Sequence, residues 1–220
     1  MKHMVVTIDG PAGTGKSTVA RDVAKKLGFT FLDTGALYRA AAAAVEDAGA
    51  DIEDDESCAK VIRDTRIELT DDTVTVNGID VTGRIRTGRV TGLSSKIAVH
   101  PSVRKALLGL QRSFREKSSI VAEGRDTGSV VFPDADIKFY LDASQEERAR
   151  RRYEELLSKG TEASFEQVLS ELRERDQRDA SRETAPLIIP QHAVVVDTTH
   201  LDIEGVTARI LDIISRYLAN

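Results

Sequence analysis

Gly10-Pro11-Ala12-Gly13-Thr14-Gly15-Lys16-Ser17 follows directly on the short β-branched run Val5–Asp9 and leads into a segment with helical periodicity that stops at Gly28. Glycines at these spacings, closed by Lys-Ser between a strand and a helix, constrain the chain more than any other feature it has. Without Cβ atoms the loop can curl its backbone N–H groups around an anion. The helix N-terminus adds its positive dipole end, and Lys16 reaches the outer oxygens of a polyphosphate. The spacing predicts nucleotide binding by Gly10, Pro11, Ala12, Gly13, Thr14, Gly15, Lys16, Ser17 and Thr18, with the Ser17 hydroxyl on Mg²⁺. The plain alternative is a glycine-rich turn that holds nothing.

Four further apolar runs, Phe29–Leu32, Ser119–Ala122, Ile137–Leu141 and Val194–Val196, alternate with helical or loop segments. Continuous apolar strands between helices predict an α/β fold with a five-stranded parallel sheet covered on both faces. In such sheets ligands collect at the carboxyl ends of the strands. Ile67–Val81 departs from this pattern. It alternates apolar and polar residues around Asn77-Gly78, a dipeptide suited to a type I′ turn, and reads as a small antiparallel insert. Ser144-Gln145-Glu146-Glu147 matches a capping box that opens a charged helix to about Ser158, and Ser164 opens another toward Arg175. The chain of 220 residues is therefore read as a single domain: a core of 1–60, 90–143 and 183–220, an insert over 61–89, and a charged helical arm over 144–182.

A formal net charge of -5 argues against a broad nucleic-acid surface, although local arginine clusters can still hold phosphates. No run approaches membrane-span length, the Met1–Met4 start has no signal-like stretch, and the lone Cys58 allows no internal disulfide. The expectation is a cytoplasmic monomer with no membrane and no nucleic-acid partner.

The phosphate loop alone does not separate kinases from GTPase switches or motor ATPases. No Asn-Lys-x-Asp guanine reader is present, whereas arginines stand at strand ends and along the arm. Phosphoryl transfer to another phosphate needs charge neutralisation and in-line positioning more than a base, and guanidinium forks supply both. His3, His100, His192 and His200 are scattered and take no role. Arg39 follows the strand-to-helix turn Asp33-Thr34-Gly35; Glu123-Gly124-Arg125-Asp126 ends a strand; Arg148, Arg150, Arg151, Arg152, Arg175, Arg178 and Arg182 populate the arm. For the arm arginines, ion pairs on a solvated face fit the spacing equally well, and Arg175, Asp179 and Arg182 fit a surface ladder.

Taken together these motifs resemble the long bacterial form of cytidylate kinase. The matching stretches are Ile8–Pro11 with the loop after it, Leu32–Arg39, Gly83–Thr87, Gly124–Ala135 and Glu174–Arg182, which span nearly the whole chain. The resemblance implies transfer of the γ-phosphate of ATP to CMP and dCMP, with Mg²⁺. It implies that Arg39 and Arg125 hold the CMP phosphate with Thr34 nearby, and that Ser95, Arg104 and Asp126 read the cytosine edge. Arg175 and Asp179 would meet the sugar hydroxyls and Arg182 the phosphates, so that Lys16, Arg125, Arg152 and Arg182 carry catalysis. The resemblance also implies that the arm over 144–182 is a lid. Glu123 stands where this family has aspartate and Thr34 where it has serine; both keep the functional group. Either Asp33 or Glu123 would orient a Mg²⁺-bound water. The alternatives are a phosphate-loop kinase for another nucleotide or small metabolite, and a non-enzymatic nucleotide switch.

Overall fold

The computed structural model describes residues 3–70, 72–158 and 160–219; Met1 and Lys2 of the N-terminal stretch, and Lys159 in the arm, lie outside them. Five parallel strands form the main sheet: β1 (Val5–Asp9), β2 (Thr30–Asp33), β6 (Ile120–Gly124), β7 (Ile137–Asp142) and β8 (Val194–Asp197), in the order β2-β6-β1-β7-β8. Each begins or ends within a residue or two of its expected bounds.

The apolar runs are continuous because alternate residues feed two cores. Val5, Leu32, Ile120 and Ala122 pack on one side, under α2 (Thr34–Asp47), α3 (Asp55–Arg63), α4 (Gly88–Ile97) and α5 (Pro101–Lys117). Val6, Phe31, Val121 and Leu141 pack on the other, under α1 (Lys16–Leu27) and α8 (Ile203–Leu218). The alanine run Ala40–Ala44 is buried, which lets α2 lie close to its neighbours. Gly28 ends α1 with φ 69°, as a C-terminal glycine should.

Register sets the site. Asp9 stands opposite Gly124, and Asp33 opposite Glu123, so the carboxyl ends of β1, β6 and β2 finish level. The insert is a three-stranded antiparallel sheet, β3 (Ile67–Leu69), β4 (Val74–Val76) and β5 (Ile79–Asp80). Asn77 and Gly78 sit at φ 51° and 81°, the left-handed pair that a type I′ turn requires. Ile67, Val74 and Val76 join the α2 core, so the insert is anchored rather than pendant.

The arm consists of α6 (Gln145–Ser158) and α7 (Phe165–Ala180). Ala149, Val168 and Leu172 pack together and enclose Ala12 of the phosphate loop. The expected capping box at Ser144 is half made. The Glu147 N–H donates to Ser144 Oγ at 3.2 Å, but the Glu147 carboxylate is taken by Arg150 and Arg151, and the Ser144 N–H donates to Thr199 Oγ1 instead. Among the described residues no helix is long and apolar enough to cross a membrane.

Candidate active site

The phosphate loop is shaped by steric necessity. Gly13 and Gly15 adopt φ 82° and 84°, a region that disfavours L side chains. At Gly10 a Cβ would fall 2.1 Å from the Leu141 carbonyl oxygen, so β7 can approach only a glycine. Thr14 is buried with its hydroxyl on Pro11 O, and Lys16 Nζ donates to the same carbonyl at 3.0 Å. Ser17 Oγ donates to Glu123 Oε1 at 2.8 Å across the sheet edge.

The loop opens on a cleft of about 1060 Å³. Lys16, Ser17 and Thr18 line one end; Gly10, Pro11 and Thr14 lie behind it as scaffold. Burial, with Arg125 beside it, lowers Lys16 to about 7, and burial, with Asp33 beside it, raises Glu123 to about 7. Both groups are drawn toward neutrality because the dry sheet edge penalises charge.

Four guanidiniums gather opposite the loop. Arg125 Nε donates to Asp179 Oδ2 at 2.8 Å, and Arg182 donates to the other carboxylate oxygen. Asp179 is 1% exposed, so the spacing of Arg175, Asp179 and Arg182 is not a solvated ladder but a buried cluster. Burial pushes the Asp179 carboxyl up, yet Arg125, Arg182 and Arg175 outweigh it and hold the carboxyl below its ordinary value. Arg175 is lowered to about 10 by burial and by Arg125. Arg39 pairs with Asp33 at 3.0 Å. The buried Nε atoms of Arg39, Arg175 and Arg182 have no hydrogen-bond partner. Buried donors of this kind mark a place where an anion completes the structure.

A third group floors the cleft. Arg104 donates to Ala98 O at 3.1 Å and to the Asp126 carboxylate, and both side chains are 8% exposed. The Tyr38 ring lies 5.5 Å from the Arg104 guanidinium, and burial raises its hydroxyl to about 12, which keeps it neutral. Ser95 is buried beside them on α4 and accepts a hydrogen bond from Arg178 at 2.8 Å. Thr34 Oγ1 donates to Glu123 O at 2.7 Å, so this hydroxyl fastens α2 to the end of β6.

Arg152 stands apart from these clusters. It lies at the cleft rim, paired with Glu155 at 2.7 Å. For the arm arginines, where the spacing leaves ion pairs and a functional role equally open, the structure divides them by their partners and by their position along α6. Arg150 and Arg152 make exposed pairs with neighbouring glutamates. Arg148 is buried, holding Ala12 O at 3.0 Å and Asp176 at 2.5 Å, while Arg151 clasps Thr198 O and Thr14 O. These two arginines lock the arm to the phosphate loop.

Asp9 escaped the sequence reading. One carboxylate oxygen accepts from the Thr127 N–H at 2.8 Å and the Thr127 hydroxyl at 2.7 Å, the other from the Gly128 N–H at 2.7 Å. Burial raises it to about 6 against those donors. It ties the strand that launches the phosphate loop to the turn carrying Arg125 and Asp126. The available signal was a carboxylate closing an apolar strand, which must find donors once buried. Tyr38 was legible in the same way, one helical turn after Thr34.

Among the described residues no cluster of three or more His, Cys, Asp or Glu side chains could hold a metal by itself. The Ser17 hydroxyl beside Glu123, with Asp33 alongside, is an all-oxygen set suited to Mg²⁺ that arrives on phosphates and keeps part of its water shell.

A family model described as cytidylate kinase matches residues 6–216. A cytidylate kinase of Carboxydothermus hydrogenoformans is 48% identical over 217 residues, covering 97% of this chain and 98% of that protein. Another, from Klebsiella pneumoniae, is 46% identical over 219 residues, covering 98% and 96%. The crystal structure of an uncharacterized protein from Eubacterium ventriosum shares the fold, with a TM-score of 0.50 at 12% identity over 97% of this chain and 99% of that one.

Proposed function

The chain belongs to the cytidylate kinase family, and from that premise we propose that it transfers the γ-phosphate of ATP to the phosphate of CMP and dCMP by in-line displacement. The observation that carries this reading is the facing of two cationic poles in one cleft, Lys16 in the phosphate loop and the Arg39, Arg125, Arg175 and Arg182 cluster, with buried donors still unpaired.

ATP seats its β- and γ-phosphates on backbone N–H groups of the loop residues that line the cleft, Gly13 and Gly15 to Thr18, with Lys16 on the outer oxygens. CMP presents its phosphate to Arg39 and Arg125, near Thr34. That phosphate has its second pKa near ~6, so it attacks as a dianion and needs no general base. Charge that builds on the transferred group is dispersed over Lys16, Arg125 and Arg182, with Arg152 swinging in from the rim as the arm closes. Ser17 would hold a Mg²⁺ arriving with ATP, with Asp33 or Glu123 orienting its water, and the ion would supply neutralisation of phosphate charge. Burial of both poles under α6 and α7 excludes water from the transfer.

Base choice follows from the floor. Cytosine offers acceptors at O2 and N3 and a donor at its exocyclic amine, which suits donors on Ser95 and Arg104 and a carboxylate on Asp126. Uracil would leave Asp126 facing an oxygen, at a cost of ~1 to 3 kcal/mol. Arg175 and Asp179 reach the sugar. We take the cytoplasm as the compartment and one copy as the working unit; the free thiol of Cys58, buried in the α2 core, fits a reducing compartment.

The test is ATP consumption with CMP, dCMP, UMP, AMP, shikimate or dephospho-coenzyme A offered singly, with and without Mg²⁺. Strong preference for CMP and dCMP supports the reading. Equal use of UMP would remove the Asp126 assignment, and turnover indifferent to any acceptor would favour a nucleotide switch.

A further inference from the structure

The arm touches the base-facing side of the cleft through Arg178. Its Nη1 on α7 donates to Ser95 Oγ on α4 at 2.8 Å, across 83 positions of sequence. The mechanism above gives Arg178 no task. Its neighbours Arg148, Arg150, Arg151, Arg152 and Arg182 all hold carboxylates, whereas Arg178 has no carboxylate partner among the described residues. Ser95 is 7% exposed and lines the cleft together with Arg104 and Asp126.

A guanidinium can only donate, so Ser95 Oγ must accept from it and the hydroxyl hydrogen must point elsewhere. No described residue accepts that hydrogen, while the hydroxyl of adjacent Ser94 is committed to Thr91 O at 2.9 Å. The Ser95 hydrogen is thus held ready for an acceptor in the cleft.

We propose that Arg178 is a positioning residue that fixes Ser95 as a hydrogen-bond donor to the pyrimidine ring and thereby links arm docking to occupancy of the base site. This rests on the cytidylate kinase reading and on Ser95 facing the base. With Arg178 in place, the floor offers two donors, from Arg104 and Ser95, beside one acceptor, Asp126, the complement of the cytosine edge. Without it the hydroxyl rotates and offers either polarity, so orienting it falls to the substrate. Because α7 also carries Arg175 and Asp179, a base that engages Ser95 favours the arm position that completes the phosphate site.

The experiment is steady-state kinetics on Arg178→Met, Arg178→Lys, Ser95→Ala and the Arg178→Met/Ser95→Ala double variant, with thermal midpoints to confirm folding. Arg178→Met should lower kcat/KM for CMP about tenfold, chiefly through KM for CMP, with KM for ATP much less affected. Lysine, also a pure donor, should recover most of the loss. In the Ser95→Ala background Arg178→Met should add nothing further, since the two side chains act as a unit. An equal loss in that background, no loss in the parent, or no recovery with lysine would overturn the proposal. A parent enzyme that does not turn over CMP would instead overturn the function it rests on.

Discussion

Asp179→Asn removes one charge and almost no volume, and its effect can be worked from the cluster around it. Asp179 is 1% exposed and bridges Arg125 and Arg182, with Arg175 beside it. Removing one partner of a buried ion pair costs about 3 to 5 kcal/mol, because the cations left behind stay desolvated. Asparagine keeps one acceptor oxygen, so the lower end, ~3 kcal/mol, is expected. For a chain of this size each kcal/mol moves the thermal midpoint by ~2 to 4 °C, which gives a fall of ~6 to 12 °C. Inorganic phosphate should shrink that fall, since an anion supplies the missing charge and stabilises the variant more than the parent. The pH dependence carries a definite sign. The folded Asp179 carboxyl is held below its unfolded value, so its contribution is present above that unfolded value and lost as pH falls through the folded one. Parent and variant midpoints should therefore converge below pH ~4. Differential scanning calorimetry at neutral pH with and without phosphate, then in acid, reads all three effects. A drop below ~2 °C, or one that phosphate leaves unchanged, would refute the reasoning.

Two further outcomes follow. Gly10→Ala would set a Cβ 2.1 Å from the Leu141 carbonyl at a backbone φ of 151°, so the variant should unfold at a markedly lower temperature and lose ATP binding, whereas normal stability by calorimetry would contradict the packing. Lys16 is drawn down to about 7 by burial and by Arg125, so ATP binding without Mg²⁺ at pH 8 should take up protons as the phosphates restore its charge. Titration calorimetry in buffers of different ionisation enthalpy should show uptake of up to about one proton, absent in Lys16→Met.

How much of this was legible in the string depends on how local the signal was. β1, the phosphate loop and α1 were read to within a residue, because glycine conformation and strand–helix periodicity are local chemistry. Asn77-Gly78 fixed the insert for the same reason. The helices α4 and α5 were not singled out: Gly88 and Gly92 weaken the local preference for helix in α4, and its burial of Val90 and Ile97 against the α2 core is a tertiary effect. Bonding partners were the least legible part. Glu147 matches a capping box, yet Arg150 and Arg151 outcompete the backbone N–H for its carboxylate. Arg148 and Arg152 look alike in sequence, but one turn of helix puts the first under the phosphate loop and the second on the rim. Asp9 and Arg178 act across the fold, on Thr127 and Ser95, at separations that no spacing rule reaches.

The most direct test of the central claim is a single-turnover experiment with γ-labelled ATP, Mg²⁺ and CMP, following where the label goes. Direct transfer between the two cationic poles predicts label in CDP, with little in inorganic phosphate and none on the protein. Label released as inorganic phosphate regardless of CMP, or retained on a side chain, would contradict it.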